Sequence, residues 1–142
     1  MTRVSSPLEN LCGSGQSLRK EAPGAKELAG LERSGLRRLA DAEKQANSLE
    51  SRFDLAYNAA HALCLAALRR SGYRATNRYI VFQVLPHTLG IGPEVWRVLA
   101  RAHDLRNRGE YEGLLDAGDR LVADMIQACK VVAAALRKLP PV

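Results

Sequence analysis

Leu49-Glu50-Ser51-Arg52-Phe53-Asp54-Leu55-Ala56-Tyr57-Asn58-Ala59-Ala60-His61-Ala62-Leu63-Cys64-Leu65-Ala66-Ala67-Leu68-Arg69-Arg70 reads as one long helix. Asn47 and Ser48 are two candidate N-caps ahead of it, Asn47 and Glu50 have capping-box spacing, and Ser71-Gly72 stops it. Its second half is apolar on nearly every side, so other helices must surround it, and it becomes the central element of a bundle. Its first half differs. Asp54, Asn58 and His61 form a polar stripe at i, i+4 and i+7, with Tyr57 beside it.

On the N-terminal side, residues 25–46 place Leu28, Leu31, Leu39 and Ala42 on one helical face and Arg33, Arg37 and Arg38 largely on the other, interrupted by Gly30 and Gly35. Residues 1–24 carry Pro7, Gly13, Gly15, Pro23 and Gly24 among scattered leucines, and read as an arm that is either poorly ordered or docked through Leu8 and Leu11. On the C-terminal side, Tyr79–Leu85 suits a strand or a buried helix equally by periodicity. A lone strand would have no partner, so a short helix ending near Leu89 is expected, kinked or stopped by Pro86. Gly90 and Gly92 then turn the chain, and Pro93 starts another helix. From about Ala117, residues Leu121, Met125, Ala128, Val132, Ala135 and Leu139 mark a further amphipathic helix, closed by Pro140-Pro141. The expectation is an all-α, up-and-down bundle of four to five helices over residues 25–139, preceded by the arm.

Composition agrees with this reading. Among 142 residues 46% are hydrophobic, yet only 5% are aromatic, and the aliphatic supply is mostly Ala and Leu, which favours helices over sheets. The formal charge of +6 favours a phosphate-bearing or acidic partner. Cys12, Cys64 and Cys129 are odd in number and lack metal-ligand spacing, so they read as reduced thiols in a cytoplasmic protein. The longest uncharged runs are each about 15 residues, short of the ~20 that span a bilayer, and no membrane association is expected. A Gly-rich phosphate loop, a Cys/His array and the Glu-x-x-His pattern of carboxylate-bridged metal sites are all missing, so no metal or cofactor is expected.

The residue that carries most functional information is Arg106. Val95, Leu99 and Ala102 share one face of the helix that starts at Pro93, flanked by Val98 and Leu105, and Arg106 comes next on that face. A guanidinium stays charged and is costly to bury alone, so it calls for an anion or a carboxylate there.

The segment Arg106-Asn107-Arg108-Gly109-Glu110-Tyr111-Glu112-Gly113 resembles the signature of HEPN domains, helical bundles whose late helix carries Arg-x-x-x-x-His, commonly with Asn after the Arg. The stretch Arg52–Leu63 is similar to the Ala-rich central helix of that family, including its Tyr and neighbouring acidic residue. The resemblance covers roughly residues 28–137. It implies a homodimer whose two motif helices build a shared, metal-independent ribonuclease or nucleotide-binding cleft of the toxin–antitoxin kind. Arg106 would hold a phosphate, Asn107 would orient the substrate or the second motif, and an antitoxin or nucleotidyltransferase would be a partner, with Tyr111 or Tyr57 open to modification.

Tyr111 stands where the family has His. A phenol with a pKa of about 10 is a poor general base at neutral pH, and losing acid–base catalysis costs about 10²- to 10⁴-fold. Binding is therefore expected to survive better than cleavage, with Tyr111 donating a hydrogen bond or stacking on a base. His103, at i−3 from Arg106 and i−4 from Asn107, either supplies the missing imidazole or serves only the structure. Glu110 either forms an exposed i, i+4 ion pair with Arg106 or fixes its fork beside a phosphate. Asp54, Tyr57 and Asn58 form either one wall of the same cleft or an ordinary polar face. Arg69, Arg70, Arg74, Arg78, Arg101 and Arg108 either extend a basic surface or are ordinary solvated side chains, the second reading being preferred, and His87 and Trp96 read as packing residues. The competing functional class is a non-catalytic interaction or regulatory bundle in which Arg106 pairs with a carboxylate.

Overall fold

The structure, a computed structural model, describes residues 7–13, 15–112 and 118–140, and the side chains of all of these except 109–112. Four long helices form the bundle: α2 (Ala25–Ala42), α3 (Leu49–Arg70), α6 (Pro93–Glu112) and α7 (Asp119–Arg137). Three short helices, α1 (Pro7–Asn10), α4 (Arg78–Gln83) and α5 (Leu85–Thr88), and two short strands, β1 (Leu18–Lys20) and β2 (Tyr73–Ala75), complete the described residues. The chain is an all-α bundle with a minor two-stranded ribbon.

α3 is the central element. It buries Phe53, Ala56, Tyr57, Ala59, Ala60, Leu63, Cys64, Ala66, Ala67 and Leu68, and packs against α2, α4, α5, α6 and α7. Its alanines let neighbours approach closely, and on α2 Gly35 lies against Leu63 and the Ala59 carbonyl. A methyl group built there would lie 2.7 Å from Cγ of Leu63, which is why the helix carries a glycine at that point. α2 and α3 run in opposite senses: Arg52 Nε donates to the carbonyl oxygen of Ala42 at one end (2.8 Å), and Arg69 pairs with Glu27 at the other. α7 runs with α3, since Cys129 Sγ donates to the Ala56 carbonyl (3.4 Å) and the Arg70 guanidinium meets the Pro140 carbonyl.

The helix over residues 49–70 is capped by Ser48, whose hydroxyl accepts from the backbone N–H of Ser51 at 3.1 Å. The capping box expected between Asn47 and Glu50 does not form, because the Asn47 amide turns back to donate to the Asp41 carbonyl (2.9 Å) and closes the α2–α3 connection. The segment 79–85 is helical as expected, and the chain breaks at Val84, one residue ahead of the Leu85-Pro86 start of α5. All three cysteines are free. Among the described residues no helix is long and apolar enough to cross a membrane.

The arm docks. Leu8 and Leu18 are buried in the same core cluster as α3, and Leu11 packs against it. β1 pairs antiparallel with β2, with Leu18 opposite Ala75 and Lys20 opposite Tyr73. Arg69, expected as a solvated side chain, is instead buried, with only 2% of its surface exposed. Its Nε donates to Glu27 Oε1 (3.0 Å), one terminal nitrogen donates to the carbonyls of Glu21 (2.9 Å) and Tyr73 (3.1 Å), and the other to that of Ala22 (3.1 Å). A planar fork with five donors suits such a cluster of carbonyls where a lysine would not. His87 also departs from expectation: the α5 turn gives the core to Leu85 and leaves His87 exposed, while Trp96 packs against the core as expected.

Candidate functional site

Three elements meet around Tyr57. The polar stripe of α3 interrupts an otherwise apolar surface, α4 brings Tyr79 and Phe82, and the apolar face of α6 ends in His103 and Arg106. Asn77 caps α4 through its side-chain oxygen, which accepts from Ile80 N at 3.0 Å, so Arg78 and Tyr79 open that helix in a fixed place.

Tyr57 is 1% exposed, and its hydroxyl lies 2.8 Å from Nδ1 of His103. On the other side of that ring, Nε2 lies 3.2 Å from Nδ2 of Asn107, one helical turn on. Two proton arrangements satisfy the chain Tyr57–His103–Asn107. Either Nδ1–H donates to the phenol oxygen and Nε2 accepts from the amide, or the phenol donates to Nδ1 and Nε2–H meets the amide oxygen. The imidazole also stacks at 6.1 Å on Tyr57, lies tilted at 5.6 Å from Tyr79, and meets Phe82 at 6.3 Å. His61 approaches Phe82 edge-on at 6.3 Å, and the Tyr57 ring does the same at 6.0 Å. Arg106 is half-buried, with its guanidinium carbon 4.8 Å from the centre of the Tyr57 ring, a cation–π contact worth about 0.5–2 kcal/mol.

Both imidazoles have their pKa pushed below the ordinary histidine value. Burial, and then the positive charges of Arg78, His103 and Arg106, push His61 down to about 4. For His103 burial lowers the pKa first; the Asp104 carboxylate opposes it, and Arg106 and Arg78 reinforce it. Two arginines from different helices therefore act on the same pair of rings, although Arg78 and Arg106 are 28 positions apart by their numbers. Two guanidiniums whose charge reaches the same pair of rings are suited to an anion.

Of the residues singled out from the sequence, the structure brings together Tyr57, His103, Arg106 and Asn107. It does not bring Asp54 and Asn58 into that contact set: Asp54 is exposed, and Asn58 Nδ2 donates to the Asp54 carbonyl of its own helix at 2.9 Å. Glu110 and Tyr111 lie in α6, and their side chains fall outside the described residues. Tyr79 and Phe82 were missed, because their segment was read only for helix against strand. The available signal was that two aromatic residues three apart share one helical face, in a chain with few aromatics. Among the described residues no group of three or more His, Cys, Asp or Glu side chains is arranged to hold a metal ion. No protein-family model, curated protein or solved structure matches the chain.

Proposed function

We propose that the chain binds RNA or a nucleotide, taking a phosphate at the α3/α4/α6 junction through Arg106, with His103 and Asn107 beside it. The observation that carries this reading is the fixed arrangement of Arg106 over Tyr57, whose hydroxyl is held by His103, itself held by Asn107. A guanidinium held against a buried ring has its position restricted before any ligand arrives, and a restricted fork loses less entropy on meeting phosphate oxygens. Arg78 adds a second cation from α4, and Tyr79 adds a half-buried aromatic ring at the same place. The likeness of residues 106–111 to the HEPN signature supports the same ligand class, and with it a homodimer through α6 and a partner of the antitoxin or nucleotidyltransferase kind. Cleavage is the weaker half of the proposal, because position 111 carries a phenol.

Fluorescence anisotropy with labelled single-stranded RNA over a salt series tests it. Affinity should fall steeply as salt rises, and Arg106→Ala should weaken binding about tenfold, the loss expected from a charged phosphate contact of about 1.4 kcal/mol or more. Binding that ignores salt, or no binding to RNA and mononucleotides alike, would favour the interaction module. Incubation of the RNA in chelator, with Tyr111→His beside the native chain, reads any residual metal-independent cleavage.

A further inference from the structure

The phosphate site just proposed contains a group that Arg106 and Asn107 do not account for: an imidazole whose two nitrogens are both engaged by partners able to reverse their roles. Tyr57 offers a hydroxyl to Nδ1, and a hydroxyl either donates or accepts. Asn107 offers an amide to Nε2, and rotation of that amide by half a turn exchanges its N–H₂ for its carbonyl oxygen. A neutral His103 uses one of these partners as donor and the other as acceptor. A protonated His103 would donate to both, to the phenol oxygen and to the amide oxygen, without losing a hydrogen bond or moving a backbone atom.

We infer that His103 takes up a proton when a phosphodiester binds, so that RNA binding at this site is linked to pH. The inference rests on the phosphate-binding reading and adds its regulation.

The groups that face the ring explain both states. From α3 come Tyr57 and, across Phe82, His61; from α4 come Arg78 and Tyr79; from α6 come Asp104, Arg106 and Asn107. In the unliganded protein, half-burial and the two guanidiniums oppose a charge on His103, and the exposed Asp104 carboxylate partly offsets them. A phosphodiester brought to Arg106 and Arg78 cancels the repulsion and adds an attraction, so the charged ring becomes the favoured one. The proton comes from a solvent or buffer acid, whose bond to it breaks as the imidazole lone pair forms an N–H bond, and no bond between heavy atoms changes. By linkage, affinity must rise as pH falls through the pKa of the liganded ring, and level off below that of the free ring.

The test uses the full chain and a short single-stranded RNA with hydroxyls at both ends, since its phosphodiesters do not titrate between pH 5.5 and 7.5. At constant salt, RNA should bind the native chain about tenfold more tightly at pH 5.5 than at pH 7.5, the change produced by one proton taken up over one pH unit. His103→Gln, which keeps a polar partner for Tyr57 but cannot charge, should bind equally at both values. If the native chain binds RNA with the same affinity at both, the inference fails and the binding reading stands. If it binds RNA at neither, both fail. A pH dependence that persists in His103→Gln overturns the assignment to this residue. A proton NMR titration of the native chain decides the matter independently of how the variant folds, because the sequence contains only three histidines. The His103 ring should titrate at higher pH with RNA than without. An unmoved His103 titration would overturn the inference.

Discussion

Tyr57 and His103, 46 positions apart in sequence, share a 2.8 Å hydrogen bond that locks the central helix to the helix carrying Arg106. The bond joins a phenol with almost no exposure to a ring that is half exposed, so it sits on the boundary between core and surface. On one side Tyr57 is packed edge-on to Phe82, and on the other its ring face carries the Arg106 guanidinium. A core residue thereby sets the position of two surface groups. This is the arrangement expected where a charge must be held in place before a ligand is present.

Tyr57→Phe separates the hydroxyl from the ring. Phenylalanine keeps the cation–π face and the core volume, and loses only the bond to Nδ1. Urea unfolding should show a loss of about 1 kcal/mol, the net worth of one such hydrogen bond, with the m-value unchanged. Tyr57→Leu removes the ring as well and should cost several times more. Equal losses in the two variants would mean that the hydroxyl, and not the ring, carries the contact.

His61 predicts a dependence of stability on pH. In the unfolded chain an imidazole titrates at about 6.5, whereas in the native protein burial and then the nearby cations push His61 down to about 4. Between these values the unfolded state binds more protons, so stability falls as pH drops from about 6.5 to 4 and is flat for this group above and below. Because the ring is partly exposed, the expected loss is about 2 kcal/mol, reduced from the full conversion of the shift for solvent screening. His103, also lowered, acts in the same direction, and Glu21, held low first by its hydrogen bond to Arg74, adds a loss only below its ordinary value of 4.5. Thermal unfolding followed by circular dichroism at pH 7 and pH 5 measures rather more than half of it, about 1 kcal/mol. His61→Phe should flatten most of the difference between those two values, and an unchanged slope in that variant would place its origin elsewhere.

The elements that could be read from the sequence are those whose causes are local. Leu49–Arg70 is recognisable as a buried helix because its apolar residues run round the whole helix, and Pro93 and Pro140 mark boundaries by lacking an N–H. The ribbon of Leu18–Lys20 with Tyr73–Ala75 was not readable, because each strand is three residues long and its partner lies more than 50 positions away. Arg69 illustrates the same limit in one side chain. Nothing near it distinguishes it from Arg70, and two of the three carbonyls that it meets come from Glu21 and Ala22, 48 and 47 positions earlier. For the candidate site, the helical periodicity of α6 was enough to place Arg106 at the end of the apolar face and His103 one turn before Asn107. What periodicity does not supply is the facing helix, so the contacts of His103 with Tyr57, Tyr79 and Phe82 became visible only with the tertiary structure.

Arg69→Met tests whether the arm is held by that one guanidinium. The change removes one of two arginine partners of the Glu27 carboxylate, which keeps Arg74 at 3.5 Å, and the donors to three carbonyls, and should destabilise the protein by about 3 kcal/mol. Arg69→Lys should recover little of this, since an ammonium lacks the planar fork. Limited proteolysis adds a local reading: the variant should be cut between Gly15 and Gly24 well before the bundle is degraded. A variant with native stability and the native cleavage pattern would assign the docking of the arm to Leu8 and Leu18 instead.

Gly35 and Gly30 allow the close approach of α2 to α3 to be measured against an internal control on the same helix. In an exposed helix interior, replacing glycine by alanine gains about 0.5–1 kcal/mol, because the unfolded chain loses freedom and the helix gains a better former. Gly30 has open space around its Cβ position, so Gly30→Ala should gain that amount. At Gly35 the new methyl would fall 2.7 and 2.8 Å from Cγ and Cδ2 of Leu63, inside contact distance. Leu63 is itself buried and cannot swing away without disturbing the α3 core, so the helices must separate there. Overpacking of this kind costs about 1–3 kcal/mol, which exceeds the gain in propensity, and Gly35→Ala should be destabilising on balance. A second substitution that shortens the obstructing side chain, Leu63→Ala, should be less harmful in the Gly35→Ala background than in the native one, because the new methyl occupies part of the space that Leu63 leaves. A double-mutant cycle by urea unfolding measures that coupling. Additive losses, or a gain in stability from Gly35→Ala alone, would mean that α2 and α3 do not approach each other at this point.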